Sequence, residues 1–294
     1  MIEIDVNSIS SEELYKHLTT SIAPRPIALV STIDSNGISN LSPFSFFNVF
    51  SVKPPILVFS PVNRIKDNTK KDTLKNVIEL KECVISVVNQ KIAQQVSLAS
   101  SNYGSSEDEF KKAGFTKLES THVKPFLIKE SPVNFECIVN SIIPMGDDGG
   151  AGNLVVCEII KIHLHDEIMD IENKIDPLKL NLVSRLGGSW YGKTTSESLY
   201  EITKPISNIG VGIDNLPNEI INSKILSGSD LAMLASVEAI PISKNNKSDS
   251  LKTEEKHILA KKLLEDEKIV QAWEILIFLH QAPLKFQLDF GQKK

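Results

Sequence analysis

The stretch from Ile22 to Pro61 constrains the fold more than any other part of the chain. Ile27 to Ile33 reads as an apolar strand. Asp34-Ser-Asn-Gly37 follows it as a hairpin signal, because Asn and Gly tolerate positive φ. Ile38 to Ser42 returns. Ser42-Pro-Phe-Ser-Phe-Phe-Asn-Val-Phe50 is then a loop of small polar groups and flat apolar faces, a mixture suited to a planar, polar-edged cofactor. Lys53-Pro-Pro55 fixes the approach to Ile56-Leu-Val-Phe-Ser60, a buried strand.

The rest of the first two thirds continues in short pieces. Ser10-Ser-Glu-Glu13 is a capping-box signal for a helix running to about Leu18, and Ala23-Pro-Arg-Pro26 lies beyond its end. Leu74, Val77 and Ile78 are spaced for one face of a helix whose N-cap is Asp72 or Thr73. Cys83 to Val88 reads as a strand, and Lys91 to Ser100 and Glu107 to Ala113 as helices, the second closed by Gly114. Asn134 to Ile143 and Asn153 to His165 read as long strands joined by the Met145–Gly152 turn. Strands with helices inserted between them, and no regular βαβ alternation, predict a mainly β, antiparallel barrel and exclude a doubly wound sheet.

Beyond Gly192 the pattern turns helical: from Pro217, from Asp230 to Val237, and from Lys252 to His280. In the last segment Ile258, Leu259 and Leu263 form one apolar set, and Ile269, Trp273, Leu276 and Leu279 another. Two regions are expected, 1–195 as the barrel and 196–294 as a mostly helical extension packing on the barrel or on a dimer partner. The 294 residues carry a net charge of −5, so a global field for nucleic acid is absent. No apolar run reaches the roughly 20 residues that span a bilayer, and the acidic start Met1-Ile-Glu-Ile-Asp5 is no signal peptide; the expectation is a cytoplasmic protein. Cys83, Cys137 and Cys157 are scattered in apolar runs and read as buried, reduced thiols.

One basic segment stands out. Arg64, Asn68, Thr69, Lys71 and Thr73 bring charge, hydroxyls and an amide to a helix start, where free N–H groups and the dipole favour an anion. The same residues suit a solvated loop capped by Asp72, and chemistry alone leaves both readings open. Arg185-Leu-Gly-Gly-Ser-Trp-Tyr191 is either a structural turn with a core Trp or a turn that projects Arg, Trp and Tyr together.

Pro24-Arg25-Pro26-Ile-Ala-Leu-Val-Ser-Thr32 with Pro43-Phe-Ser-Phe-Phe-Asn48 resembles the flavin reductase-like, FMN-binding split-barrel family, from about Ile22 to Gly192. The resemblance implies bound FMN, with Lys71-Asp-Thr73 at its phosphate and Asp72, a departure from the family pattern, pointing away. It implies Ser45 and Phe46 near the ring edge, Asn48 near the ribityl or phosphate, and Ser31 and Ser60 at strand ends beside the cofactor. Arg64, Asn68 and Thr69 join the phosphate set. Arg185 is read as an electrostatic or dinucleotide-orienting residue and Tyr191 as a pocket wall. It further implies a homodimer with flavin near the subunit boundary and hydride transfer from NAD(P)H. Flavin carries that chemistry, so no protein nucleophile is required. The alternatives are a flavoredoxin-like electron carrier and a non-catalytic flavin-binding module. Phe44 and Phe50 are expected in the core. The glycine-rich Gly146–Gly152 run carries aspartates and no Gly-Lys-Ser/Thr, so it reads as a hairpin turn. His163 and His165 lack a third ligand for a metal.

Overall fold

Ile27-Ala-Leu-Val30 is apolar at every position, the pattern of a strand covered on both faces. In the computed structural model, which describes residues 1–202, 209–241 and 251–277, strand β1 (Ala28–Ile33) is that strand. Ala28 and Val30 face one cluster with Phe44, Phe59, Leu74 and the three cysteines. Leu29 faces another, with Leu41, Val96 and Phe110. Strands β2 (Ser39–Phe44), β3 (Phe47–Val52), β4 (Pro55–Phe59), β5 (Glu82–Val87), β8 (Val133–Pro144) and β9 (Asn153–Leu164) complete a seven-stranded sheet of order β2-β1-β5-β8-β9-β4-β3. All six ladders are antiparallel. The short pair β6 (Lys117–Leu118) and β7 (Leu127–Ile128) lies outside it.

The strand order forces closure. β2 and β3 are the two edges, yet only Ser45 and Phe46 separate them in the chain. In a flat sheet of this width the edges would lie about 29 Å apart, whereas two linking residues reach about 11 Å. The sheet must therefore roll until its edges meet at Ser45–Phe46, where Ser60 N donates to Phe46 O at 2.8 Å. This is the split barrel, with its seam at the aromatic loop.

Helices cover the barrel. α1 (Ser11–Ser21) starts at Ser10, whose hydroxyl accepts from Glu13 N at 3.2 Å. α2 (Asp72–Leu80) buries Leu74 and Val77 against the inner cluster, while Ile78 is exposed. α3 (Ala93–Ala99) and α4 (Glu109–Ala113) cover the face that carries Leu29 and Leu41, and Gly114 closes α4 at φ 71°. A short α5 (Pro177–Leu180) precedes the hairpin of β10 (Val183–Arg185) and β11 (Tyr191–Lys193).

Phe50 is not in the core: on edge strand β3 it is 68% exposed. Its neighbours Val49 and Val52 are exposed too, as are Ile143 on β8 and Ile160, Ile162 and Leu164 on β9. Cys83, Cys137 and Cys157 are free and buried together. Among the described residues no helix is long and apolar enough to cross a membrane.

The chain divides into two compact units, Met1–Tyr200 and Glu201–Lys294. In the second, α6 (Asn218–Ile221), α7 (Gly228–Ala235), α8 (Thr253–Glu265) and α9 (Ile269–Leu276) share one apolar cluster around Trp273. The long segment is two helices, because Glu267 at φ 59° turns the chain between them. On α8 the buried positions include Ala260 and Leu264, whereas Ile258 and Leu259 are exposed. Ile269, Trp273 and Leu276 pack in the cluster as their spacing predicts; Leu279 lies outside the described residues.

Candidate functional site

The basic segment folds into a tight loop. Asn68 takes positive φ (55°), Asp67 accepts from Thr69 N (3.0 Å) and Thr69 Oγ1 (2.7 Å), and Arg64 N donates to Thr69 O at 3.0 Å. The Arg64 guanidinium then reaches Thr69 Oγ1 and Lys70 O, both at 3.1 Å. Asn68 is used structurally, its amide donating to Asp147 O at 2.6 Å and accepting from Asn63 at 3.1 Å.

The loop delivers the chain to α2. Its N-cap is Lys71, not Asp72 or Thr73, and no side chain caps the first turn. Asp72 stands at the first helical position and pairs with Lys75 at 2.8 Å instead. The uncapped turn thus keeps donors available to an anion. Thr73 is buried and accepts from Asn40 Nδ2 at 2.8 Å, which leaves its hydroxyl proton for another acceptor.

A small cleft of about 40 Å³ lies against this turn. Arg64, Lys71, Thr73, Asn40 and Ser42 line it, with the Ser100-Ser-Asn-Tyr103 run after α3 and with Glu109. Lys71 is half-buried, its ammonium 5.6 Å from the centre of the Phe44 ring. Burial, and then the charge of Arg64, hold Lys71 below the usual lysine range. Among the described residues no carboxylate forms an ion pair with Lys71 or Arg64. A partly desolvated cation without a counter-ion, beside an uncapped helix start and spare hydroxyls, is the complement of a phosphate.

A second cavity, about 390 Å³, adjoins the barrel seam. Ser45, Ile65, Arg25, Arg185, Gly187 and Gly188 line it with one face of α1. Two chain segments serve both cavities: Arg64 lines one and Ile65 the other, Ser42 one and Ser45 the other. Arg25 and Arg185 are joined through their backbones, N to O at 3.0 and 2.9 Å. The buried Arg25 guanidinium donates to Thr19 O and Ile22 O at the end of α1 and touches Ser45 Oγ at 3.5 Å. Burial lowers its pKa. Arg185 donates to Gly188 O and stacks 4.4 Å from the centre of the Tyr191 ring. Gly187, at φ 92°, sits so close to Thr20 that a Cβ would meet its Oγ1 at 2.6 Å, so only glycine passes there.

The same backbone bridge has an opposite side. Pro24, Pro26, Ser184 and Leu186 alternate with the two arginines and line a third cavity of about 490 Å³, mostly apolar, with Phe47, Val88 and Lys193 among its walls. Trp190 is exposed, so this turn carries no core Trp.

The structure therefore gathers Arg64, Lys71 and Thr73 at one cleft and Ser45 and Arg185 at the next. Thr69 holds Arg64 from behind, and the Phe46 ring lies 6.3 Å from Tyr15. Other candidates lie apart. Ser31 is buried without a partner for its hydroxyl and lines none of these cavities. Asn48 is exposed and accepts from Val49 N at 2.8 Å. Ser60 accepts from Asn153 N at 3.1 Å, a role in the barrel. His163 bonds Glu136 at 2.6 Å. Sequence reasoning gave no role to Arg25, Asn40, Ser42, Ser100–Tyr103 or Glu109. Only Asn40 and Ser42 left a trace, the i, i+2 spacing that puts two polar groups on one strand face.

Residues 20–178 match the flavin reductase like domain, and the chain belongs to that family. An uncharacterized protein of Aquifex aeolicus is 37% identical over 196 residues, 67% of this chain and 97% of that protein. Among solved structures, nitrilotriacetate monooxygenase component B from Bacillus cereus aligns with a TM-score of 0.64 at 28% identity, covering 69% of this chain and 98% of that one. The 2-nitrobenzoate 2-nitroreductase of Pseudomonas fluorescens aligns with a TM-score of 0.62 at 30% identity, covering 72% and 100%.

Proposed function

We propose that this protein is an FMN-dependent oxidoreductase that draws electrons from NAD(P)H. The observation that carries the reading is the cleft at the start of α2, where half-buried Lys71 joins Arg64 and Thr73 and, among the described residues, no carboxylate pairs with either cation. FMN ends in a phosphate that this cleft complements, and the adjoining cavity at Ser45 takes the ring. When bound, the flavin supplies the hydride-accepting chemistry; the protein binds and orients it. Arg25 and Arg185 place positive charge along the ring cavity, which favours the reduced, more negative cofactor. The name of the Pseudomonas relative is compatible with a nitroaromatic acceptor, which would have to reach the ring in the cavity at Ser45.

The exposed apolar side chains of β3, β8 and β9 support a homodimer, since an apolar strand face is stabilised by burial against a second copy. Sedimentation at micromolar concentration should give twice the chain mass. The spectrum of the purified protein tests the whole reading. A flavin band that bleaches with NADH or NADPH supports a reductase. A band that only a protein donor bleaches indicates an electron carrier. A colourless protein that fails FMN titration overturns both.

A further inference from the structure

Glu109 is a negative residue in a cleft otherwise built for an anion. It is the first residue of α4, only 9% exposed, and lines the same cleft as Arg64, Lys71 and Thr73. Its Oε2 accepts from Leu41 N at 3.1 Å, across the sequence from β2. Among the described residues no lysine, arginine or histidine forms an ion pair with it. The charged and titratable groups around it are accounted for. On its own element Lys111 and Lys112 stand in the last turn, Lys112 paired with Glu107 at 2.8 Å, and the N-cap Asp108 is tied to Lys117 at 2.6 Å. From α2 come Lys71 and Asp72, the latter paired with Lys75. Arg64 and Tyr103 come from the loops, while α3 and the facing part of β2 contribute no titratable side chain.

A dianionic phosphate drawn in by Arg64 and Lys71 therefore meets a carboxylate as well. Like charges at such range raise the carboxyl pKa until one of them takes a proton. Leu41 N fixes Oε2 as the acceptor, so Oε1 is the oxygen left to carry the proton and donate. We propose that the cleft binds a phosphate monoester together with one proton, held on Glu109 Oε1, so that Glu109 makes phosphate recognition pH-dependent. Even without ligand the group leans this way: burial first, then Asp108 and Asp72, push its pKa up against the hydrogen bonds from its own backbone N–H and from Leu41 N. The proposal rests on the reading of this cleft as a phosphate site.

The test compares FMN with riboflavin, which lacks the phosphate, by fluorescence titration between pH 7 and pH 9. In this range the ester is already largely dianionic, since its second ionisation is near pH 6. The expected result is a preference for FMN that falls with pH, approaching tenfold per unit at the steepest. In Glu109→Gln, whose amide oxygen keeps the Leu41 contact while its N–H donates, the preference should be retained and the fall reduced. Deprotonation of Lys71 also weakens FMN at high pH, but equally in both proteins, so the difference between them isolates Glu109. Calorimetry of Lys71→Arg, whose guanidinium does not titrate in this range, in two buffers of different ionisation enthalpy gives an independent readout if the Glu109 variant fails to fold. Proton uptake with FMN and none with riboflavin supports the proposal; an ester proton expelled by the cations would give the opposite sign. Equal affinity for FMN and riboflavin at every pH overturns the phosphate reading itself. A preference for FMN with no excess proton uptake, or with the same pH dependence in Glu109→Gln, overturns only the role of Glu109.

Discussion

Glu136 and Glu109 are both buried carboxylates, and they differ in how many donors meet them. Glu136, on β8, accepts from Thr121 N (2.9 Å), His122 N (2.6 Å) and Val123 N (3.2 Å), and bonds the His163 ring at 2.6 Å. Burial pushes its pKa up, but the donors, led by Thr121 N and His163, outweigh it and carry it down to about 2. Glu109 has one backbone donor from across the fold, and its pKa is raised. The cations repeat the contrast. Arg25 directs its guanidinium to the carbonyls that end α1, where the helix dipole favours it, whereas Lys71 lies against the Phe44 ring and, among the described residues, forms no ion pair. A buried charge with its valences filled is holding the fold together. One with valences to spare marks where something else binds.

The contrast can be broken most directly at Glu136. Glu136→Ala leaves three backbone donors unpaired, the buried Val123 N among them, and removes the partner of His163, and should cost about 3 kcal/mol in urea unfolding. The sign with pH follows from the depressed pKa: the contribution is complete above about 4.5 and is lost as pH falls toward about 2. That shift corresponds to about 3 kcal/mol, so Glu136→Gln should flatten the acid limb of the stability curve. An unchanged acid limb would place the carboxylate's role elsewhere.

Arg25→Ala should come next, at about 2–3 kcal/mol, because charge-assisted bonds to buried carbonyls are lost. Arg25→Lys should recover little of it, since one ammonium lacks the planar fork that reaches both carbonyls. Lys71 and Thr73 should behave in the opposite way. Their replacement by alanine should weaken FMN about 10- to 100-fold, with riboflavin affected far less, whereas Lys71→Met alone should leave stability unchanged or raised. Equal losses for the two flavins would remove the distinction drawn here. The smallest effect belongs to Arg185, already stacked on Tyr191 and bonded to Gly188. Arg185→Ala should fold and bind FMN, with a flavin potential lower by about 30 mV, equivalent to about 1.4 kcal/mol for two electrons. A raised nicotinamide KM at unchanged potential would make Arg185 a dinucleotide clamp instead.

Local pattern was enough to read most elements. The Asp34–Gly37 turn, the doubly buried β1, the Ser10 start of α1 and the Gly114 end of α4 each follow from a few adjacent residues. That Lys71 and Thr73 stand together at a helix start was legible because charge, hydroxyl and helix start lie together in sequence. Phe50 was misplaced because an aromatic residue says nothing about whether its strand is an edge. Asp72 was misassigned as a cap because Lys75, one turn on, competes for the same carboxylate.

What the sequence determined by itself is the family, the strand and helix inventory and the basic segment, all signals carried within a turn or a strand. The tertiary structure alone decided the site's composition. Closure at Ser45–Phe46 depends on the order of seven strands, and no local window contains that order. Glu109 reaches the cleft through a bond to Leu41, 68 residues away, and Asn40 meets Thr73 across 33. Arg25 and Arg185 share a wall only because the last hairpin of the barrel unit returns to its first strand. Side-chain identity sets what each group can do. Whether its valences are filled or left over depends on partners that only the closed barrel brings within hydrogen-bond distance.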